Sequence, residues 1–369
     1  MGERPPQTSS ASPANVGERA THLLEDHRAL GARLTEFGGW EMPLQYSGVI
    51  AEHTAVRTAV GIFDVSHLGK LRVSGPSAAA ALQEALTADT DALAEGEATY
   101  SLVLTDEGTV VDDVFAYRFG PEEWVVVPNA SNVQAVADKI AASGGEPVDE
   151  WDRWTILAIQ GPRSFELFDK GFPSSGATDL KLHRWRFLDV FGEQGFVART
   201  GYTGERGFEL YAPAATARSA FKALLEAGGA PVGLGARDTL RLEMGYALYG
   251  HELTLETNPI EAGLGWVLAW DTPFRGRDVV RRVKEKGPAR KLFGIRLTGR
   301  GVPRQGYRVL LDGSDVGEVT SGNFSPTAGV GIALAYGPPD LAGSAKKVEI
   351  DARGRRIEGD IVKPPFIER

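Results

Sequence analysis

The stretch Gly108-Thr-Val-Val-Asp-Asp-Val-Phe-Ala-Tyr117 places two adjacent carboxylates in a run that otherwise favours a β-strand. Asp is depleted in strands because it fits a pleated, half-buried surface poorly. Successive strand residues point to opposite faces, which assigns Asp112 and Asp113 to different sides. The predicted faces are Val111, Asp113, Phe115 and Tyr117 on one side and Val110, Asp112, Val114 and Ala116 on the other. The pattern leaves two interpretations open: an edge with two solvated acids, or a carboxylate in a pocket with aromatic walls.

The segments around this strand predict an α+β fold. Residues 98–104 and 109–117 read as a hairpin turning at Asp106-Glu-Gly108. Apolar spacing predicts helices over residues 21–34 and 50–60, and alternation predicts a strand or hairpin over residues 62–73. Strands and helices mix without regular βαβ alternation, which favours mixed or antiparallel sheets with helices, forming two N-terminal domains.

A domain boundary is predicted at Lys284-Glu-Lys-Gly-Pro-Ala-Arg290, a charged stretch broken by Gly-Pro. Beyond it, short strands alternate with turns, as in a small all-β barrel. We therefore expect a disordered tail over residues 1–20, an intertwined α+β region over residues 21–285 and a barrel over residues 290–369.

Composition excludes several classes of function. The 369 residues carry a formal net charge of −9, whereas a nucleic-acid-binding protein needs a basic face. The sequence has no Cys, which removes disulfides, thiolate catalysis and Cys-ligated metals. No apolar run approaches the roughly 18 residues of a membrane span. The Pro- and Ser-rich N-terminus lacks the features of a secretory signal, and we expect a cytoplasmic protein with no membrane partner.

Two charged side chains outside the hairpin suggest ligand binding. Glu209, within Phe208-Glu-Leu-Tyr211, is either solvent-exposed or a carboxylate that recognises a paired N–H edge such as a pterin or guanine presents. Arg237 begins a predicted helix, where a cation opposes the helix dipole, so an anion nearby would explain it. The six histidines form no close pair at ligand spacing, and no metal site is expected.

Taken together, these segments resemble the aminomethyltransferase (T-protein) family of the glycine cleavage system, from about Leu23 to Phe366. The matching segments are Phe37-Gly-Gly-Trp-Glu-Met-Pro43, Ala55-Val-Arg-Thr-Ala-Val-Gly-Ile-Phe-Asp-Val-Ser-His67, Val110-Val-Asp-Asp113, Arg199-Thr-Gly-Tyr-Thr-Gly-Glu-Arg-Gly-Phe-Glu209, Gly233-Leu-Gly-Ala-Arg-Asp238, Thr257-Asn-Pro259 and Thr320-Ser-Gly-Asn-Phe-Ser-Pro326.

The resemblance implies a tetrahydrofolate-dependent enzyme whose domains surround a central folate channel. It implies that Asp113 is the functional aspartate. The folate-pocket positions would be Tyr100, Tyr117, Asn129, Tyr202, Glu209, Arg237 and Tyr246. An aminomethyl group carried on the lipoyl arm of H-protein would pass to tetrahydrofolate, with release of ammonia and formation of 5,10-methylenetetrahydrofolate.

Four positions depart from the family pattern: Leu68 stands where Met is common, Lys70 where Glu is common, Ala88 where Asn is common and Pro128 where Val is common. None of them removes a carboxylate or Arg237. An alternative within the superfamily is a tetrahydrofolate-dependent demethylase acting on a sulfonium or methoxy donor. A third possibility, a non-enzymatic folate-binding maintenance protein, is disfavoured because those relatives carry a Cys-containing signature.

Overall fold

The chain folds into α-helices and four β-sheets in a computed structural model that describes residues 19–344 and 346–368. The strands are β1 (Arg19–Ala20), β2 (Arg33–Phe37), β3 (Trp40–Gln45), β4 (Gly61–Asp64), β5 (Leu71–Ser74), β6 (Ala98–Leu104), β7 (Val110–Gly120), β8 (Glu123–Val127), β9 (Pro147–Asp149), β10 (Trp154–Gln160), β11 (Trp185–Val190), β12 (Glu193–Ala198), β13 (Gly207–Pro213), β14 (Ala230–Pro231), β15 (Lys291–Leu297), β16 (Arg308–Leu311), β17 (Ser314–Ser325), β18 (Val330–Gly337), β19 (Lys347–Ala352) and β20 (Arg355–Val362). The helices are α1 (Leu24–Ala29), α2 (Val49–Thr58), α3 (Ala78–Ala85), α4 (Val133–Ala142), α5 (Ser164–Gly171), α6 (Ala217–Glu226), α7 (Leu234–Glu243) and α8 (Arg277–Lys286).

The two adjacent aspartates lie in the middle of β7, within a sheet of order β6-β7-β8-β5-β9. The predicted β6–β7 hairpin is present, with Asp113 opposite Leu102 and Asp112 opposite Val103. The next pair joins Leu104 to Val110, so Val111 bulges out of the ladder.

Because of this bulge, the face predicted for Val111 is wrong. Val111 packs in the same cluster as Val114 and Ala116, not beside Asp113 as strict alternation predicted. From Asp112 to Tyr117 the alternation is regular, and Tyr117 belongs to a different apolar cluster.

A second sheet, of order β11-β12-β13-β10-β4-β14, packs against the first. Every residue of β10 is buried because the strand is central and both faces are covered. Ile156 and Ala158 pack in one cluster with Tyr117 and Val125 of the first sheet. This shared cluster brings the aspartate strand of one sheet close to β13 of the other.

The C-terminal strands close into a barrel of order β15-β18-β17-β16-β19-β20. Closure pairs both strand edges and leaves none exposed, and apolar residues from these strands fill the interior. The predicted fold class is confirmed: mixed sheets with helices are followed by a small all-β barrel.

Two local predictions are wrong. The helix predicted over residues 21–34 is only α1, because Gly31 adopts a left-handed conformation with φ +74° and the chain continues into β2, which pairs with β3. Residues 62–73 form no hairpin, since β4 and β5 belong to different sheets and are joined by a turn containing Ser66 and His67.

At the N-terminus, Arg19–Ala20 pair in parallel with Trp40 and Glu41, and residues 1–18 of the predicted tail lie outside the described residues. A search of the described helices for one long and apolar enough to cross a membrane found none.

Candidate active site

A pocket between the two N-terminal sheets gathers most of the predicted site residues, and we call it the inner pocket. Seven of them line it: Tyr100, Asp113, Tyr117, Asn129, Tyr202, Glu209 and Arg237. Its other lining residues are Phe37, His67, Leu68, Val114, Phe115, Val127, Gly201, Tyr211, Ala247, Leu248 and Tyr249. The predicted residue Tyr246 does not line it.

Asp113 presents its carboxylate to the inner pocket between two hydrogen-bond donors. The Tyr100 hydroxyl donates to Oδ2 at 3.0 Å, and Asn129 Nδ2 donates to Oδ1 at 3.0 Å. Tyr100 lies on β6, diagonally across from Asp113, and Asn129 follows β8, so three successive elements orient one carboxylate. Of the two interpretations left open by the sequence, the pocket with aromatic walls is the correct one.

Asp112 is fully buried on the opposite face of β7 and organises the segment that carries Asn129. It accepts hydrogen bonds from Asn129 N at 2.8 Å, Asn129 Nδ2 at 2.8 Å and Asn132 Nδ2 at 2.7 Å. The Asn129 amide therefore bridges the two carboxylates. This arrangement makes Asp112 a positioning residue for Asn129, a role that the strand pattern could not specify.

The paired carboxylates hold a proton more tightly than isolated ones. Burial raises the pKa of Asp113, and hydrogen bonds from Tyr100 and Asn129 oppose that rise. Burial and the charge of Asp113 raise the pKa of Asp112 to about 8, against donors from Asn132 and Asn129. Burial beside Asp113 raises the pKa of Tyr100 well above its usual value, so its hydroxyl remains a donor.

Glu209 is buried on β13 and faces the inner pocket together with Tyr211. It lies opposite Ala158 on one side and Ala198 on the other, two small side chains that leave space around the carboxylate. Thr200 Oγ1 donates to Oε2 at 2.5 Å. Burial raises the pKa of Glu209, and Thr200 and Arg237 oppose the rise. The solvent-exposed interpretation of Glu209 is therefore wrong.

Arg237, in the first turn of α7, supplies the cation of the inner pocket. Its guanidinium carbon lies 4.8 Å from the centre of the Tyr202 ring, a cation–π distance. Its Nη1 is buried and has no hydrogen-bond partner among the described residues. Burial lowers the pKa of Arg237, and the charge of Glu209 opposes this. The guanidinium is thus held in place with donor capacity left over for a ligand.

One side of the inner pocket continues into what we call the aromatic opening. Tyr246 lies there, stacked on Tyr202 at 5.7 Å between ring centres. In the same opening, Trp266 stacks on Tyr100 with 6.0 Å between ring centres, and Trp266 is 73% exposed. Tyr246 therefore belongs to the mouth of the site instead of its interior.

The other side continues into what we call the basic opening, which shares Phe37, Tyr202, Arg237 and Leu248 with the inner pocket. Arg33 of β2 and Arg304 of the barrel domain lie on its rim. Both are exposed, and neither forms a side-chain ion pair within the described part of the chain. The lining also includes the carboxylates of Glu36 and Asp238, and its four arginines, Arg33, Arg237, Arg241 and Arg304, leave a net positive charge. The opening is formed between the N-terminal region and the barrel.

Several lining residues were missed by the sequence argument. Phe37 and His67 lie within segments that carried the family resemblance, so their position in those segments could have identified them. Trp266 had none, because a lone Trp between Gly265 and Val267 shows no periodicity that distinguishes it.

Comparisons with known proteins agree with this geometry. Residues 23–272 match the family model of the GCVT N-terminal domain, and residues 290–368 match that of the glycine cleavage T-protein C-terminal barrel domain. An aminomethyltransferase from Rubrobacter xylanophilus is 47% identical over 359 residues, covering 95% of each chain. One from Mycobacterium tuberculosis is 46% identical over 365 residues, covering 96% of this chain and 98% of its own length.

The fold comparison leads to the same family. The crystal structure of the glycine cleavage system aminomethyltransferase T from Bartonella henselae superposes with a TM-score of 0.89 at 32% identity, covering 95% of this chain and 98% of that one. The chain belongs to the aminomethyltransferase (T-protein) family of the glycine cleavage system.

Proposed function

We propose that this chain transfers the aminomethyl carbon carried on the lipoyl arm of H-protein to tetrahydrofolate. The products are 5,10-methylenetetrahydrofolate, ammonia and dihydrolipoyl H-protein. The observation that carries the proposal is the Asp113 carboxylate, oriented by Tyr100 and Asn129 in a pocket that also contains Glu209 and Arg237.

The pterin ring of the folate fits the polar end of the inner pocket. A pterin presents two N–H donors on one edge, and the buried Glu209 carboxylate is a bidentate acceptor for such an edge. The free Nη1 of Arg237 is a donor for the ring's carbonyl oxygen or nitrogen acceptors. Glu209 and Arg237 together therefore match both the donor and the acceptor atoms of the ring.

The rest of the folate fits the aromatic opening. The stacked pairs Tyr202–Tyr246 and Tyr100–Trp266 offer flat apolar faces to an aryl ring. A p-aminobenzoyl group attached to a pterin in the inner pocket would lie between them. Its glutamate tail would then reach solvent beside the exposed Trp266.

Asp113 acts by electrostatics and orientation. Loss of ammonia or of the thiolate from the S–CH2–NH3⁺ group generates an iminium-like cation, which a fixed carboxylate stabilises in a low-dielectric site. The folate N5 and N10 atoms take the carbon and together give up two protons. One proton goes to the lipoyl thiolate and the other leaves with the amine as ammonium, so the step balances.

The lipoyl arm is proposed to enter through the basic opening, opposite the folate tail. Arg33 and Arg304 give that rim a local positive charge on a chain whose net charge is −9, so it would attract an acidic face of H-protein. In this scheme residues 21–285 form the folate-binding region, and the barrel of residues 290–369 shapes the donor's entrance. The proposal requires no metal and includes a cytoplasmic location.

The test is ammonia release by purified protein supplied with aminomethylated lipoyl H-protein and tetrahydrofolate. Ammonia should form together with 5,10-methylenetetrahydrofolate, and omission of tetrahydrofolate should slow its release strongly. A sulfonium methyl donor, which suits the demethylase alternative, should give no methyl transfer. Methyl transfer from that donor without ammonia from the aminomethyl donor would overturn the proposal.

A further inference from the structure

His67 is a buried side chain of the inner pocket that no step described so far uses. It lies in the turn between β4 and β5 and is 3% exposed. Neither ring nitrogen forms a hydrogen bond with the residues that the structure describes, and Nδ1 is wholly buried. An unpartnered buried polar atom destabilises the folded state, because it has lost its hydrogen bonds to water and gained none in return. Such an atom is unusual in a protein core and points to a ligand as the missing partner.

The imidazole is uncharged at working pH. Burial, together with the nearby charge of Arg237, lowers the pKa of His67 to about 3. A neutral imidazole has one N–H donor and one acceptor nitrogen. His67 can therefore accept a hydrogen bond without bringing a second negative charge close to Asp113.

The turn that carries His67 is held by hydrogen bonds to the preceding residue, Ser66. Asp64 Oδ1 accepts from Ser66 N at 2.9 Å and also from the Ser66 hydroxyl. Lys70 Nζ donates to Ser66 O at 2.6 Å, and Trp151 Nε1 donates to the same oxygen at 3.2 Å. The backbone is fixed from both sides while the ring is left without partners. This combination is expected of a preorganised binding group.

The position of His67 places it on the side of the inner pocket where the aminomethyl donor is proposed to enter. Its ring meets the Phe37 ring edge-on, with centres 5.4 Å apart. Phe37 is shared by the inner pocket and the basic opening, and His67 does not line the aromatic opening. A group that arrives through the basic opening would pass Phe37 and reach His67 before it reached the folate.

We infer that His67 binds the amine of the carrier-borne aminomethyl group by accepting a hydrogen bond from one of its N–H groups. The inference rests on the proposed function and identifies a residue for the donor, whereas the residues assigned above recognise the folate. An ammonium group has three N–H donors, and two of them would donate hydrogen bonds to Asp113 and His67. Two acceptors hold the amine at a defined position in the inner pocket.

The test compares His67→Phe with His67→Gln in the full-length protein. His67→Phe keeps a flat ring against Phe37 but removes the acceptor, so the KM for aminomethylated H-protein should rise about tenfold. The kcat should change little, because the hydrogen bond is present in both the ground and transition states. The affinity for tetrahydrofolate, measured by calorimetry, should be unchanged. His67→Gln restores an amide acceptor and should recover most of the lost KM.

Thermal unfolding distinguishes a binding role from a structural one. His67→Phe removes an unpartnered buried nitrogen, so its melting temperature should equal or exceed that of the wild type. The matched control His22→Phe removes a side chain that is hydrogen-bonded to Thr155 at 3.1 Å and does not line the inner pocket. That control should keep the kinetic constants and lose stability.

Three outcomes would overturn the inference. One is an unchanged KM for the carrier in His67→Phe while the wild type releases ammonia, which leaves the proposed function intact. Another is a weakened folate affinity with the carrier KM unaffected, which would move His67 to the folate. The third is a wild-type protein that releases no ammonia, which would overturn the inference and the proposed function together.

Discussion

Tyr100 and Asp113 lie on neighbouring antiparallel strands, and the Tyr100 hydroxyl donates a 3.0 Å hydrogen bond to Asp113 Oδ2. Their side chains meet diagonally, because Asp113 pairs with Leu102, two residues along from Tyr100 on the same face. The phenol restricts the carboxylate to one orientation without neutralising it. Once ionised, Asp113 is therefore an anion whose orientation is fixed before any ligand arrives, which is the property that electrostatic catalysis requires.

Removing the negative charge of Asp113 should slow the reaction but should largely preserve tetrahydrofolate binding. Asp113→Asn keeps the size and part of the hydrogen bonding of the side chain but loses the negative charge. Since one preorganised electrostatic group contributes about 10²–10³ to turnover, kcat for ammonia release should fall by that order. Folate affinity should fall much less, and calorimetry with tetrahydrofolate provides the check.

Asp112→Asn is the matched control, with the same chemical change one residue away. Asp112 does not line the inner pocket and acts only through Asn129, so kcat should fall by less than about tenfold. Equal losses in the two variants would contradict the assignment of Asp113 as the group that faces the reacting atoms.

The coupled carboxylates should also produce a pH dependence with a defined sign. Because their pKa values are raised, the ionised form of Asp113 is reached only as pH increases, so activity should rise along a limb above the ordinary aspartate pKa of about 3.9. Asp112, with a pKa of about 8, is still protonated where Asp113 ionises, so Asp112→Asn should leave this limb at the same pH. A limb that moves to lower pH in the kcat/KM profile of Asp112→Asn would show that Asp112 is the first of the pair to ionise, which would contradict this assignment.

The raised pKa values of Asp112 and Asp113 should also make the stability of the protein depend on pH. Between about pH 4, where an unfolded aspartate has ionised, and the raised pKa of about 8, the folded pair retains a proton that the unfolded chain has released. The unfolding free energy should therefore fall as pH rises through this window. The unfolding free energy of Asp112→Asn should fall less steeply over the same pH range than that of the wild type. Urea titration at several pH values measures both.

Alternation and turn chemistry were enough to predict the β6–β7 hairpin and to assign Asp113 to the aromatic face. They failed at Val111 because a bulge depends on how the partner strand is joined, and the local pattern does not contain that information. They also failed over residues 21–34, where helical spacing of leucines was overridden by pairing of β2 with β3. Local propensity is a weak prior that tertiary contacts override.

Side-chain partners distant in the sequence could not be predicted either, because a local pattern holds no information about tertiary contacts. The role of Asp112 depends on Asn129 and Asn132, which the chain brings back through β8 and the following turn. The lack of a hydrogen-bond partner for the His67 imidazole could not be predicted, because it becomes visible only when every residue around the ring has been located. The charge and position of Glu209 were visible in the sequence, whereas its burial between Ala158 and Ala198 was not.

Glu209→Gln should mainly weaken folate binding. Gln offers one acceptor oxygen where the carboxylate offers two, and it places an N–H against the donor edge of a pterin. Loss of a charge-assisted hydrogen bond costs about 1.5–3 kcal/mol, so the Kd for tetrahydrofolate should rise about 10–100-fold. Isothermal calorimetry measures this directly. An unchanged Kd would contradict the proposed contact between Glu209 and the ring.

Arg304→Glu should impair the encounter with H-protein while leaving folate binding unaffected. It reverses an exposed charge on the rim of the basic opening, so the KM for aminomethylated H-protein should rise several-fold at low salt. The difference from wild type should shrink as salt is added, because exposed charges are screened over about 10 Å at 0.1 M ionic strength. The matched control is Arg282→Glu on α8, an exposed Arg outside both openings that changes the net charge by the same amount. A similar rise in KM in both variants would mean that only net charge matters, and it would remove the argument that the carrier docks at the basic opening.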